Sequence, residues 1–241
     1  MSWKCILCSV SNRNAAGVNR ESMLCRKCNS TWRARAIALA VEQGLGYTPR
    51  VFNEIKADWS RIGLGISDDV TVSSIFGSKF FYSNSFFDTY PYLDIRRVPS
   101  RAKGQFEFVT CSDVLEHIDK GLDAAFKGLF SLIRKGGFLV ASVPVISETE
   151  HEEFYEDLVK FEISESGVSW VNSKGKHRLD RNPEFHGGRG QNLAFRHFSN
   201  QYLRSKLSLA GFYSIEDVNF DSSLGVPKIE LPGIVVARKK P

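Results

Sequence analysis

Two stretches decide the fold: Phe106-Glu-Phe-Val-Thr-Cys-Ser-Asp-Val-Leu-Glu-His-Ile118 and Ile133-Arg-Lys-Gly-Gly-Phe-Leu-Val-Ala-Ser-Val-Pro144. Phe106 to Cys111 and Phe138 to Val143 are apolar runs of strand length. Between them Leu122, Ala125, Phe126, Leu129, Phe130 and Ile133 recur at helical spacing over Lys120 to Arg134, and Lys135-Gly136-Gly137 ends the helix. Strand, helix and strand in this order make one unit of an α/β fold. Outward from it the alternation continues. Arg61 to Ile66, Lys79 to Ser83 and Tyr92 to Ile95 read as strands on the N-terminal side, and Tyr213 to Asn219 and Glu230 to Arg238 on the C-terminal side. A further helix, about Asn200 to Ala210, is stopped by Gly211. Only the stretch between Pro144 and His197 breaks the rhythm. It is polar, glycine-rich and too long for an ordinary connector, which predicts a lid or substrate-binding insertion at about 145–198.

The 241 residues support one main domain with a small satellite, and the expected division is 1–45 and 46–241. A hydrophobic fraction of 42% beside 24% charged residues excludes a disordered chain. No window approaches the roughly 18 apolar residues of a spanning helix, and Met1 to Val10 lacks the apolar stretch of a signal peptide. The expectation is a cytoplasmic protein with no membrane partner. Residues 1–60 carry nine basic side chains against four acidic ones, which equals the whole net charge of +5. Such an end can steer nucleic acid, a nucleotide-linked substrate or an acidic partner, or it can be a solvated face.

Cys5-x2-Cys8, a 16-residue spacer and Cys25-x2-Cys28 have the spacing of a zinc site. Each pair fits a tight turn that aims two thiolates at one ion, and a four-sulfur shell leaves no open position, so one structural zinc is expected. Asn12 to Gly17 and Asn29 to Ser30 supply turn residues, and Thr31 or Ser30 can cap a helix from Trp32 to Gln43 that stops at Gly44. Trp32, Ile37, Ala40 and Val41 would form its buried stripe. Cys111, alone in an apolar run, reads as a core residue.

The segments quoted first, with their Val-Leu-Glu-His-Ile element and Gly-Gly turn into an apolar strand and proline, resemble strand four, the next helix and strand five of class I S-adenosylmethionine-dependent methyltransferases. The resemblance extends over about 60–240, since Ala210-Gly-Phe212 before a late strand suits that family's C-terminal end. An N-terminal four-cysteine unit is similar to that of some methyltransferases acting on sugars and other bacterial metabolites. The resemblance implies a Rossmann-like, seven-stranded, mostly parallel sheet preceded by a small zinc-binding unit. Its cofactor, S-adenosylmethionine, would lie across the carboxyl ends of the first strands.

In that frame Gly63, Gly65 and Ser67 stand in the glycine-rich loop after the first strand, where Ser67 and Asp68 replace glycine and a small residue. Asn84 stands where an acidic residue usually meets the ribose. Asp94 suits the adenine amino group and Ile95 the ring face, while Cys111, Ser112 and Asp113 flank the methionine part. Glu116 and His117 either begin the next helix or touch the ligand.

Methyl transfer asks mainly for alignment and exclusion of water, plus a base if the acceptor is a hydroxyl. The insertion offers His186 first and His151 second, with His177, Glu150 and Tyr155 as further candidates. Arg189 and Arg196 are candidates for a phosphate or carboxylate on the acceptor. Three functions follow: methylation of a sugar or other small metabolite, favoured by the zinc unit and insertion; methylation of RNA or DNA, favoured by the basic end with Trp3 and Trp32; and a non-catalytic binding protein on a degenerate methyltransferase fold. Oligomeric state is not legible.

Overall fold

The computed structural model describes residues 2–13, 18–186 and 190–241. The chain begins with a hairpin of β1 (Ser2–Lys4) and β2 (Ser11–Arg13) and enters α1 (Trp32–Gly44), whose first turn is capped by the Thr31 hydroxyl accepting from Ala34 N–H. The alternating core follows as β3 (Asp58–Ile66), α2 (Val70–Gly77), β4 (Phe80–Ser85), β5 (Phe106–Ser112), α3 (Leu122–Leu132) and β6 (Ile133–Ser142). An insertion carries β7 (Val145–Ser147), β8 (Glu152–Glu153), β9 (Leu158–Ser164), β10 (Gly167–Asn172), β11 (His177–Asp180) and β12 (Arg196–Ser199). The chain closes with α4 (Asn200–Ala210), β13 (Ser214–Asp217) and β14 (Ile234–Arg238).

The main sheet has the order β13-β14-β6-β5-β3-β4. β4, β3, β5 and β6 are parallel, and β14 runs against both β6 and β13, so one strand alone is reversed. From β3 the chain winds outward to β4, then crosses to β5 on the other side, which puts a topological switch point between β3 and β5.

This is a Rossmann-like mixed sheet of six strands, one fewer than expected. The missing one is Tyr92 to Ile95. Tyr92 makes only an isolated bridge to Phe86, and at Asp94 the side chain accepts from the N–H of Arg96 while the carbonyl accepts from that of Arg97. Asp is a turn former because its carboxylate competes for nearby backbone donors, and here that local competition defeats the strand. Helix α2 escaped the sequence reading. It is short, and two serines interrupt its apolar residues.

Strand alternation divides the core. Phe108, Phe138, Val140 and Val236 face one side, where α1 and α2 pack; Val109, Leu139, Ala141 and Val235 face the other, with α3 and α4. On the first side Phe52, Phe76, Phe80, Tyr82, Phe108 and Phe138 form a chain of rings with centroids 5.3 to 6.4 Å apart. The same cluster takes in Trp3, Ile6, Leu7 and Trp32, so the N-terminal unit and the sheet share one core. Helix α1 is therefore buried around nearly its whole circumference rather than on one stripe. Arg35 and Glu42 are enclosed with its alanines. It runs through the expected stop at Gly44, and the left-handed residue beyond it is Gly46.

The insertion folds as two three-stranded sheets, β7-β12-β8 and β11-β10-β9, around Tyr155, Val168, Trp170, Leu193 and Phe195. No described helix is long and apolar enough to cross a membrane.

Helix α3 meets the turn after β4 at Gly128, where an added Cβ would stand 1.7 Å from the Ile95 carbonyl oxygen. The helix-propensity gain of alanine, about 1 kcal/mol, cannot offset a clash with backbone. Gly128→Ala should lower stability by about 1–3 kcal/mol, read from the denaturant midpoint. An unchanged midpoint would contradict this close approach.

Candidate functional site

Two cavities open beyond the carboxyl ends of β3 and β5. One of about 800 Å³ is lined by Arg20, Arg33, Ser112, Asp113, His117 and His186 among others. The second, about 560 Å³, lies between Asp88, Asp94 and Ile95 on the sheet side and Phe161, Ile163 and Phe195 of the insertion. Ser67, Asp113, His117 and Asn192 line both, so they form one cleft at the switch point. The second half is lined mostly by apolar side chains, with Asp88, Asp94, Arg96 and Asp119 among them, and the first by charged and polar ones.

The loop after β3 keeps a glycine-like backbone without glycine. Ser67 adopts φ 56°, and its N–H donates to the Ser85 carbonyl. An L-residue in this region is disfavoured by about 1–2 kcal/mol, which the surrounding bonds must offset. Gly63 and Gly65 lie inside β3, not in the loop. A Cβ on Gly63 would strike the Phe108 ring, and one on Gly65 would meet the Tyr82 hydroxyl and Asn84, so both serve packing.

Asn84 does not face the cleft. Its Oδ1 accepts from Asp68 N–H at 3.0 Å and its Nδ2 donates to the Asp68 carbonyl at 2.8 Å, which pins the loop. Asp68 turns inward, where Thr110 donates to it at 2.5 Å and the Tyr82 hydroxyl also bonds to it. Burial pushes its carboxyl up to about 6, against these hydrogen bonds, which lower it.

Asp94 and Ile95 do line the second cavity, as expected from the sequence. Asp94 is bound bidentately by Arg96 at 3.0 and 3.2 Å. Burial works against its ionisation, but the bonds from Arg96 hold its carboxyl below the usual range. The acidic side chain nearest the end of β4 in this cavity is Asp88, which sequence reasoning missed by fixing on Asn84 four residues earlier. Cys111 is wholly enclosed behind the cleft, and burial pushes its thiol well above the ordinary value. It packs and does not line.

Ser112 and Asp113 do reach the cleft, and side chains from the N-terminal unit hold them there. Arg20 meets Asp113 at 2.6 Å and Ser142 Oγ at 2.5 Å; Arg33 meets the other Asp113 oxygen at 3.1 Å and Ser112 Oγ at 2.9 Å. Burial opposes charge on Arg33, but Asp113 and then Glu21 raise its pKa above the usual value. Neither arginine was singled out from the sequence, because partners 93 and 79 residues away leave no local signal.

Of the histidines, only His186 and His117 line the cleft. His186 bonds to His117 and to Glu184, each at 3.1 Å, and faces Glu116 at 3.6 Å. Glu116 first, against burial, and then Glu184 push its pKa up to about 9. Its ring is thus already engaged by Glu116, His117 and Glu184 and does not stand free in the cleft as the base it was expected to be. His151 lies elsewhere, stacked on Tyr202 at 3.5 Å and bonded to Glu153. His177 sits exposed on β11, and Tyr155 donates to Asp180 within the insertion core. Arg196 is a structural tie, only 5% exposed, that bonds Glu153 and the carbonyls of Leu115 and Ile118. Arg189 lies outside the described residues, as do 14–17 and 187–188.

The sulfurs of Cys5, Cys8, Cys25 and Cys28 converge within 4.8 Å, with Cys5 to Cys28 at 3.7 Å and Cys8 to Cys25 at 3.5 Å. A tetrahedral shell of about 2.3 Å zinc–sulfur bonds spaces its sulfurs about 3.8 Å apart, so the set fits zinc. The two turns are alike: Ser9 N–H donates to Cys5 O and Asn29 N–H to Cys25 O, both at 2.9 Å, with Ser9 and Asn29 left-handed. Trp3 and Trp32 are buried, Trp32 donating to the Pro227 carbonyl, so neither offers a ring for a base to stack on.

No protein-family model matches the chain, and no curated protein matches it. Among solved structures it is similar to 1,6-didemethyltoxoflavin-N1-methyltransferase from Burkholderia thailandensis, bound to 1,6-didemethyltoxoflavin and S-adenosylhomocysteine. That match has 14% identity over 86% of this chain and 77% of that one, with TM-score 0.44. It is also similar to CalS10, an amino pentose methyltransferase from Micromonospora echinaspora with bound S-adenosylmethionine (13%, 88% and 92%, TM-score 0.47). A third similarity is to an S-adenosylmethionine-dependent methyltransferase from Clostridium acetobutylicum (11%, 89% and 94%, TM-score 0.47).

Burial raises the Asp68 pKa above its unfolded value near 3.9, so folding favours the protonated carboxyl. That contribution is complete below about pH 4 and is lost as pH rises through about 6. Asp68→Asn stays neutral, so it should gain on the wild type between pH 4 and pH 7 by up to about 3 kcal/mol, at 1.36 kcal/mol per pKa unit. Urea denaturation of both proteins across that range measures it, and parallel pH dependences would contradict it.

Proposed function

We propose that this chain is an S-adenosylmethionine-dependent methyltransferase acting on a sugar or another small metabolite, at a hydroxyl. The observation that supports it most is the cleft itself. A slot of about 560 Å³ walled by Ile95, Phe161 and Phe195 runs into a charged cavity of about 800 Å³ at the switch point of a sheet in which β14 alone is reversed. A planar base suits the apolar-walled slot and a hydrophilic acceptor the charged cavity.

In this reading Ile95 packs on the adenine, Asp94 meets its amino group, and Asp88 rather than Asn84 accepts from the ribose hydroxyls. Ser67 brings backbone close to the ligand, and Ser112 and Asp113 border the methionine part, held in place by Arg20 and Arg33. The cofactor would supply a sulfonium-bound methyl group. The protein's work is to align an acceptor oxygen behind that carbon and keep water out, and the insertion strand β9 covers the slot for that purpose. Cys5, Cys8, Cys25 and Cys28 hold one structural zinc that stiffens the unit bearing Arg20 and Arg33. The expected compartment is the cytoplasm.

A second reading, a binding protein on the same fold, is favoured by one observation: Asn84 and both Asp94 oxygens already have partners within the chain. The nucleic-acid reading loses support, because Trp3, Trp32 and Arg35 are buried and Arg20 and Arg33 are paired.

Calorimetric titration with S-adenosylmethionine should show one site, weakened about tenfold or more by Asp88→Ala, the worth of a charged hydrogen bond. No heat at millimolar cofactor would sink the enzyme reading. Binding without transfer to any hydroxylated acceptor would favour the binding protein. For the metal, Cys25→Ser should lose zinc by elemental analysis and unfold at lower denaturant, and undiminished zinc would overturn the four-cysteine assignment.

A further inference from the structure

Glu116 stands in a short turn, Leu115–His117, directly behind the charged half of the cleft. Its carboxylate is 1% exposed, and neither oxygen takes a hydrogen bond from the described residues. Removing a carboxylate from water costs several kcal/mol unless something compensates it. Among the described residues two side chains pair with it, His117 Nε2 at 3.7 Å and His186 Nδ1 at 3.6 Å. These two nitrogens are 3.1 Å from each other.

The outer nitrogens decide what the inner ones carry. His117 Nδ1 is 3.0 Å from the Leu193 carbonyl, which only accepts, so Nδ1 carries the hydrogen. His186 Nε2 is 3.1 Å from the Glu184 carboxylate and likewise donates. In the neutral rings both inner nitrogens then present lone pairs toward each other and toward a bare carboxylate. That arrangement is repulsive by itself and becomes attractive around a positive charge, either a proton shared at His186 Nδ1 or a metal cation in its place. Adjacent ligands at metal bonds of about 2.1 Å are about 3.0–3.5 Å apart, close to the spacing seen here. Imidazoles whose far nitrogens donate to a carbonyl and a carboxylate are how metal-binding histidines are usually oriented.

We propose that Glu116, His117 and His186 hold one divalent transition cation, with its remaining positions open to the cleft. Two histidines and one carboxylate on one face suit manganese, iron(II), cobalt or zinc, and leave room for oxygen ligands. Both histidines line the charged cavity, so the ligand class is an acceptor that offers a hydroxyl and a neighbouring oxygen to chelate the ion. The site is chemically distinct from the four-cysteine cluster, whose soft thiolates do not suit manganese. A cation here would make a bound hydroxyl more acidic, the task expected of His186 as a base, with its proton released to water. That use rests on the methyltransferase reading. The cation site does not.

The test is a manganese titration of the full chain, followed by the loss of the free ion's electron paramagnetic resonance signal, with no S-adenosylmethionine present. One manganese per chain is expected. Glu116→Gln and His186→Asn should each weaken it by more than about tenfold, and Glu184→Gln by about tenfold through His186. Far-ultraviolet circular dichroism identifies any variant that fails to fold, and half-exposed Glu184 and His186 allow the test without disturbing the buried carboxylate. No uptake at millimolar manganese, with the three side chains joined by a proton alone, overturns the proposal. So does unchanged affinity in the folded variants. Since cofactor is left out, either result leaves the methyltransferase reading untouched, and failure of cofactor binding leaves this one untouched.

Discussion

The Asp113 carboxylate, gripped on one oxygen by Arg20 and on the other by Arg33, joins the N-terminal unit to the end of the central strand. Each partner needs the others. A carboxylate at the mouth of a cleft would otherwise be free to swing, and two half-buried guanidinium groups would repel each other without it. Breaking one member of such a group leaves a partly desolvated charge unpaired, which is costlier than the pair itself is favourable. The wall of the charged cavity is therefore fixed by mutual pairing, although Arg20 stands 93 positions from the Asp113 it holds.

What could be read from the sequence was what local chemistry dictates. β5, α3 and β6 were legible because their periodicity is contiguous, although α3 already ends at Leu132 and Lys135-Gly136-Gly137, expected to stop it, lies within β6; the cysteine spacing was legible because each pair makes its own turn. The insertion strands were not. β9 does alternate apolar and polar residues from Val159 to Ser164, but the signal is short and sits in a polar, glycine-rich stretch; it exposes almost every residue, and Phe161 pairs across to Trp170 and packs on Phe195.

The site was half legible for the same reason. Ser112 and Asp113 reach the cleft because the end of β5 puts them there, and Asp94 and Ile95 because the turns after β4 do. Asn84 and Arg196 occupy plausible positions, yet their side chains are spent on the backbones of Asp68, Leu115 and Ile118. His151 lies in the right segment but stacks on Tyr202. Side-chain direction depends on tertiary neighbours, and no spacing rule reports it. Arg20 and Arg33 show the converse: residues counted as part of a diffuse basic end turn out to be fixed parts of the cleft wall.

The shared core also bears on how the chain is made. Ile6 N–H donates to the Leu224 carbonyl, Arg35 to that of Gly225 and Trp32 to that of Pro227, so the first turns close against a segment some 190 residues later. Contacts of such long sequence separation form late, because the intervening loop must close first. A chain still leaving the ribosome would possess all four clustered cysteines and the Met23 and Ser30 carbonyls that receive two of the Arg35 nitrogens, but not the Gly225 and Pro227 carbonyls that receive Arg35 Nε and Trp32. The N-terminal unit, synthesised first, would be among the last parts to reach its final packing.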